Sequence, residues 1–257
     1  MVTTHRSGQR IVIAAACPIA QGLGVQPGTA VTQARAMVPG LDLRNADPEA
    51  DAAFLTRLAV FAARRWTPIA ATGPDGLWLD LTGVVHLFGG EQRMCARIIR
   101  FCARLGFDAR IAVAGTAGAA HALARCSAHP VTLCPSGREA ETIAGLPIAS
   151  LRIDEDVLSA ARRLGIDRIG DLLAMPRAPL QRRFGRTLLK RLDQALGRAA
   201  EPFDPVVPRD PPSATLRFAE PIATAEAIER ALTELMTKLI RMLEKAGLAA
   251  RTIILLC

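Results

Sequence analysis

Two groups of residues in this 257-residue chain are of types that act on phosphates. One is a carboxylate in a turn: Asp75 stands at the tip of Gly73-Pro74-Asp75-Gly76, with Asp80 five residues on. An aspartate there is a hard oxygen donor of the kind Mg²⁺ takes. Two octahedral cations on a phosphate substrate need several converging carboxylates, however, and one Asp cannot supply them. The other group is a basic run. Between Arg177 and Arg198 lie seven cations and a single acid, Asp193. Arg182, Arg183, Arg186, Lys190 and Arg191 flank Phe184-Gly185. Backbone N–H groups at a glycine turn that opens a helix, backed by guanidinium forks, hold a phosphate by shape and not by sequence.

Other motifs read as structural. Gly115-Thr116-Ala117-Gly118 opens a helix but lacks the Lys and the spacing of a P-loop, so it reads as close helix packing. His86 and His121 sit amid apolar residues and read as packed or turn histidines. The six cysteines (17, 95, 102, 126, 134, 257) form no CxxC pair and no Cys/His spacing of zinc type. They read as reduced, small apolar residues, and no metal site is expected.

Composition agrees with an anionic partner. The formal net charge is +8, and all but three (Lys190, Lys238, Lys245) of the 32 basic residues are Arg. This favours nucleic acid, although a GC-rich genome produces the same Arg bias. Aromatics are 4% with no Tyr, which argues against a stacking platform for single-stranded bases. No apolar run reaches about 18 residues, and MVTTHRSGQR lacks the core of a signal peptide. A cytoplasmic protein is expected.

The elements that must position these residues follow from periodicity and punctuation. Arg10–Ala16 reads as a buried strand, followed by a Gly/Pro-punctuated segment with two short helices. Asp47-Pro48 starts a helix running to Arg65. Ile69–Thr72 and Leu77–Thr82 form a hairpin around Asp75. Glu91–Leu105 is an amphipathic helix closed by Gly106, Ala109–Ala114 a strand, Gly118–Cys126 a helix and Val131–Cys134 a strand. This order is that of a ferredoxin-like layer with residues 16–46 inserted after its first strand. Residues 146–200 read as short helices, EPFDPVVPRDPP as an extended tether, and the remainder as strand (Ala214–Phe218), helix (Ala225–Ala246) and strand (Arg251–Leu256).

Those segments resemble the Y-family translesion DNA polymerases. Gly73-Pro74-Asp75-Gly76-Leu77-Trp78-Leu79-Asp80 is similar to that family's Ser-Ile-Asp-Glu-Ala-Phe-Leu-Asp palm signature, with Asp75 retained and Gly76 in place of the second acid. Residues 20–28 are similar to its fingers element, but Pro18 and Gln21 stand where active members carry a Tyr and an Arg. His129-Pro130 replaces a Lys-Pro pair. Residues 164–197 resemble the helix-hairpin-helix thumb, whose first hairpin, normally Pro-Gly-Ile-Gly, is matched to Leu146-Pro147-Ile148-Ala149-Ser150. The resemblance implies an α+β fold: a ferredoxin-like polymerase palm with inserted helical fingers (1–145, insert about 16–46), a helix-hairpin-helix thumb (146–205), a linker (206–212) and a truncated β-α-β little finger (213–257). It implies DNA contacts at Gly165, Ile166, Arg168, Arg182, Arg183, Phe184, Gly185, Arg186, Lys190 and Arg191. Within the family, the eroded site is most like the ImuB subfamily, which implies a non-catalytic, nucleoid-associated scaffold in damage-induced mutagenesis, with Asp75 vestigial and no cofactor. The implied partners are DNA, the sliding clamp, an error-prone C-family polymerase subunit and a small RecA-like accessory protein. The alternative is an active translesion polymerase whose N-terminal strand is missing, with Mg²⁺ as cofactor.

Overall fold

The computed structural model describes residues 1–208 and 212–255 and divides into two units, Met1–Val206 and Val207–Cys257. The first unit begins with a strand that the sequence does not announce, β1 (Val2–Ser7), paired antiparallel with β2 (Arg10–Ala16). Gly8 takes φ +61°, the positive value that a primed two-residue hairpin turn requires at its first central position. Helices α1 (Pro18–Gly22) and α2 (Val31–Met37) follow, and β3 (Leu43–Asn45) then pairs parallel with β1, giving the sheet order β2-β1-β3. Val2, Ile13, Ala20, Val25 and Ala34 form a core of their own under this sheet.

That arrangement corrects one expectation. Arg10–Ala16 does not pair with the strands carrying Asp75: it bonds β1 on one edge and residues 28–30 on the other, in a sheet separate from β4 and β5. The second layer starts with α3 (Pro48–Arg65), whose N-cap Asp47 accepts the Ala50 N–H at 2.9 Å. Then come β4 (Ala70–Thr72), β5 (Leu77–Leu79), α4 (Glu91–Arg104), β6 (Ile111–Val113), α5 (Ala117–Cys126) and β7 (Val131–Leu133). Instead of one ferredoxin-like sheet there are two two-stranded pieces, β4-β5 antiparallel and β6-β7 parallel. Their common core is Ala59, Ala62, Trp66, Ala70, Met94 and Ile98, with Leu77, Leu79 and Ile111 packed against it.

The remaining helices are α6 (Glu139–Ile143), α7 (Glu155–Arg162), α8 (Ile169–Leu173) and α9 (Arg177–Ala195). They share the third core with α5 through Ala119, Leu123, Ile143, Ile169, Leu180, Leu188 and Ala195. Residues 201–206, the first half of the segment read as a tether, are fastened to the first unit. The Val206 N–H donates to the Ala70 carbonyl at 2.8 Å, and the Phe203 ring stacks on Trp78 at 5.4 Å.

In the second unit, α10 (Ala225–Ala246) runs from an N-cap at Thr224 to Gly247 at φ +64°. The expected flanking strands are absent among the described residues: 214–218 and 251–255 are irregular, and Leu256 and Cys257 lie outside the described residues. Two short segments with no third strand to complete a sheet have too little pairing and too little apolar cover to persist as strands.

Candidate nucleic-acid interface

The hairpin places Asp75 as expected, with Ala71 opposite Trp78 and the Gly73 N–H donating to the Gly76 carbonyl at 2.8 Å. Its carboxylate does not stand alone. Arg125, in the last turn of α5, ion-pairs with it and also donates through Nη2 to the Asp75 backbone carbonyl at 3.1 Å. Asp80 is likewise committed, its Oδ1 accepting the Thr82 N–H at 2.9 Å to turn the chain out of β5. Among the described residues, no three acidic, His or Cys side chains converge on a point that could hold a metal. A lone carboxylate already facing a guanidinium does not fit the two-cation site of a polymerase.

The sequence Gly115-Thr-Ala-Gly118 is explained by packing. Thr116 caps α5, accepting the Ala119 N–H at 3.2 Å and donating to the Ala195 carbonyl at 2.8 Å. Gly118 lies so close to α9 that a Cβ would stand 2.7 Å from the Ala195 Cα. The Gly115 N–H is taken by the buried Glu139 carboxylate at 3.2 Å. His121 is half-buried, stacked on Trp78 at 5.7 Å, with Nδ1 3.3 Å from the Ser150 carbonyl. Burial pushes its pKa down, and the neighbouring Arg152 adds to that. His86 is exposed on a 3₁₀ turn, Val85–Phe88.

In the basic run, α9 is broken at Gly185, whose φ of 78° and ψ of −175° are not helical. Residues from Arg186 onward therefore begin a fresh helix, whose first N–H groups have no intrahelical acceptor. Phe184 is buried and anchors the turn in the third core. Arg182, Arg183, Arg186 and Lys190 are all exposed, and none forms an ion pair among the described residues. The one acid of the run repels nothing here: Asp193 takes a bidentate pair from Arg177 (2.8 and 2.5 Å), tying the two halves of α9 together and raising the Arg177 pKa.

Four of the expected DNA-contacting residues are engaged inside the chain. The Gly165 and Ile166 N–H groups bond the Arg162 and Ala161 carbonyls at 3.0 and 3.1 Å, closing the end of α7, and Ile166 is buried. The Arg168 N–H goes to Asp171 Oδ2 at 2.8 Å and its guanidinium to the Gly145 carbonyl at 2.6 Å. Arg191 donates to Glu201 Oε1 at 3.0 Å and to Gln194 Oε1 at 3.2 Å. These N–H groups and guanidiniums already have partners within the chain. Asp171, three residues after Arg168, supplies the anion that caps this turn from within.

The segment matched to the first hairpin runs into a left-handed turn just beyond it. Residues 146–150 are pinned by Pro147 bridging to Arg168 and by the Ile148 N–H on the Asp167 carbonyl at 3.0 Å. The left-handed turn falls at Arg152, φ +59°, the sole non-glycine residue of positive φ among the described residues. Its guanidinium makes a bidentate pair with Glu201 (Nη1–Oε1 2.8 Å, Nη2–Oε2 2.9 Å) and lies over the Trp78 ring at 5.2 Å. Arg125, Arg152, Glu201 and Phe203 carry no motif, and only their partners in space give them a role.

Comparison with known proteins bears on this geometry. The model of the impB/mucB/samB family matches residues 1–125. The chain is 40% identical over 229 residues to protein ImuB of Caulobacter vibrioides, spanning 89% of this chain and 50% of that protein. It is 26% identical over 249 residues to DNA polymerase IV of Dehalococcoides mccartyi, covering 95% of this chain and 64% of that one. The chain thus spans about half the length of the ImuB protein it matches. A solved Y-family DNA polymerase chimera of Dbh and Dpo4 superposes with a TM-score of 0.63 at 17% identity, over 94% of this chain and 72% of its own.

Proposed function

Because the chain is a relative of the Y-family DNA polymerases, we propose that it is a non-catalytic, DNA-binding scaffold of damage-induced mutagenesis. The observation that carries this reading is the state of Asp75. Its carboxylate faces the Arg125 guanidinium, Gly76 follows where a second acid is needed, and Asp80 is spent on a turn. Phosphoryl transfer rests almost wholly on charge stabilisation by metals and cations, so losing the ligand set removes the chemistry and leaves the body. DNA is held through phosphates at the break in α9, by Arg182, Arg183, Arg186 and Lys190 around Phe184-Gly185, without sequence preference. The sliding clamp, a C-family polymerase subunit and a RecA-like accessory protein are the protein partners this reading assigns to the full-length protein. Among the described residues, no helix is long and apolar enough to cross a membrane.

The test is primer extension on a primed template with Mg²⁺ or Mn²⁺, in parallel with a salt titration of duplex binding. No extension is expected, and extension abolished by Asp75→Ala overturns the non-catalytic reading. Four phosphate contacts give a log–log salt slope of about −3.6. Arg182→Ala, Arg183→Ala and Arg186→Ala together should flatten it by up to about three units, equally for all sequences.

A further inference from the structure

Glu201 is the most enclosed carboxylate in any ion pair among the described residues, its side chain 12% exposed. It is held by two guanidiniums: Arg152 bidentately and Arg191 through Nη1. Arg152 sits in the left-handed turn that leads into α7, where a helix-hairpin-helix element presents donors to a phosphate. Arg191 belongs to the basic run of α9. Two oxygens of one anion between two forks from two hairpins is the arrangement a bridging phosphodiester would make.

Resting on the DNA-binding reading above, we propose that Glu201 is an internal stand-in for a DNA phosphate. It neutralises the arginine of the first hairpin and one arginine of the second, leaving the thumb-like region to grip DNA through Arg182, Arg183, Arg186 and Lys190 alone. Three further observations fit. Arg152 Nε is buried without a partner, so the side chain is drawn inward despite that cost, its face on Trp78. The segment bearing Glu201 is fastened on its far side by Phe203 on Trp78 and by the Val206 N–H on Ala70. The start of α7 just beyond the turn carries exposed Asp154 and Asp156, charges that oppose a phosphate there, while Glu155 pairs with Arg162 at 3.6 Å.

The test is the salt dependence of duplex binding by the full chain and two variants. Glu201→Gln keeps the shape and removes the charge. It should steepen the slope by about one to two units, as Arg191 and Arg152 become available. An unchanged or flatter slope overturns the proposal. Arg152→Gly suits the left-handed turn and removes the guanidinium, so it keeps the test open if Glu201→Gln does not fold. Its slope should match that of the parent, whereas a loss of about one unit means Arg152 already grips DNA and the masking idea is wrong. If the parent protein binds no duplex but Glu201→Gln does, masking holds and the grip assigned to α9 fails. If neither binds, both readings fall.

Discussion

Replacing Gly118 by Ala sets two effects of opposite sign against each other. In an exposed helix, Gly→Ala stabilises by about 1 kcal/mol. Here the new Cβ would lie 2.7 Å from the Ala195 Cα, 2.8 Å from its N and 3.0 Å from its Cβ. The first two are backbone atoms of α9 and cannot swing aside as a side-chain end can. Restoring an ordinary contact of about 3.6 Å needs α5 and α9 to part by roughly 1 Å, and interiors are too dense to absorb that freely. Overpacking of this kind costs about 1–3 kcal/mol, and stretching the Thr116 Oγ1–Ala195 carbonyl bond (2.8 Å) adds about 0.5–1.5. The net is a loss of about 0.5–3.5 kcal/mol, or roughly 1–14 °C in Tm for a unit of this size. Calorimetry and urea unfolding of the full chain measure it. The sign decides: a raised Tm means propensity wins and the α5–α9 contact is looser than described. Ala195→Gly in the same chain should restore only part of the loss, because the worst contacts are with backbone.

Two further outcomes are expected. The lowered pKa of His121 means the folded state binds fewer protons than the unfolded one, so stability is full above about pH 6.5 and falls as pH drops toward the folded value. His121→Gln should flatten this dependence of Tm on pH below 7, and an unchanged profile refutes the assignment. Among Cys17, Cys95, Cys102, Cys126 and Cys134, Cys17 should be alkylated first in the native protein, because the Ala20 N–H holds its thiol pKa down. Cys95, pushed up to about 11 chiefly by burial, should react only on unfolding, as peptide mapping after iodoacetamide will show.

What the sequence disclosed was local. The cap at Asp47, the hairpin around Asp75, the end of α4 at Gly106 (φ +83°) and the turn at Gly185 each rest on a few adjacent residues whose chemistry is self-contained. What it hid was pairing at a distance. Arg10–Ala16 has the composition of a buried strand whether its neighbour is β5 or β1. The neighbour turned out to be Val2–Ser7, a polar segment with three β-branched residues that gives no apolar signal. The basic run was legible as a count of charges, but not as a division of labour. Arg191 and Lys190 are adjacent in sequence, yet one faces Glu201 and the other faces solvent, because Glu201 arrives from a segment whose prolines suggest a tether. The same composition hid Phe203, whose place on Trp78 turns that tether into a strap.

One pattern joins these hidden pairings. At three of the places that the family resemblance singles out, the charge is paired within the chain: Arg125 with Asp75, the Arg168 turn with Asp171, and Glu201 with Arg152 and Arg191. Internal pairing carries a thermodynamic consequence: a protein that needs an external ion to neutralise converging charges is less stable without it, whereas one that carries its own counter-ions is not. On the reading proposed above, the internally paired charges need no bound metal to be neutralised, whereas DNA held by the free cations of α9 still adds its binding free energy to stability. The exposed cations left without an internal partner on α9, Arg182, Arg183, Arg186 and Lys190, are the ones whose charge is still directed outward.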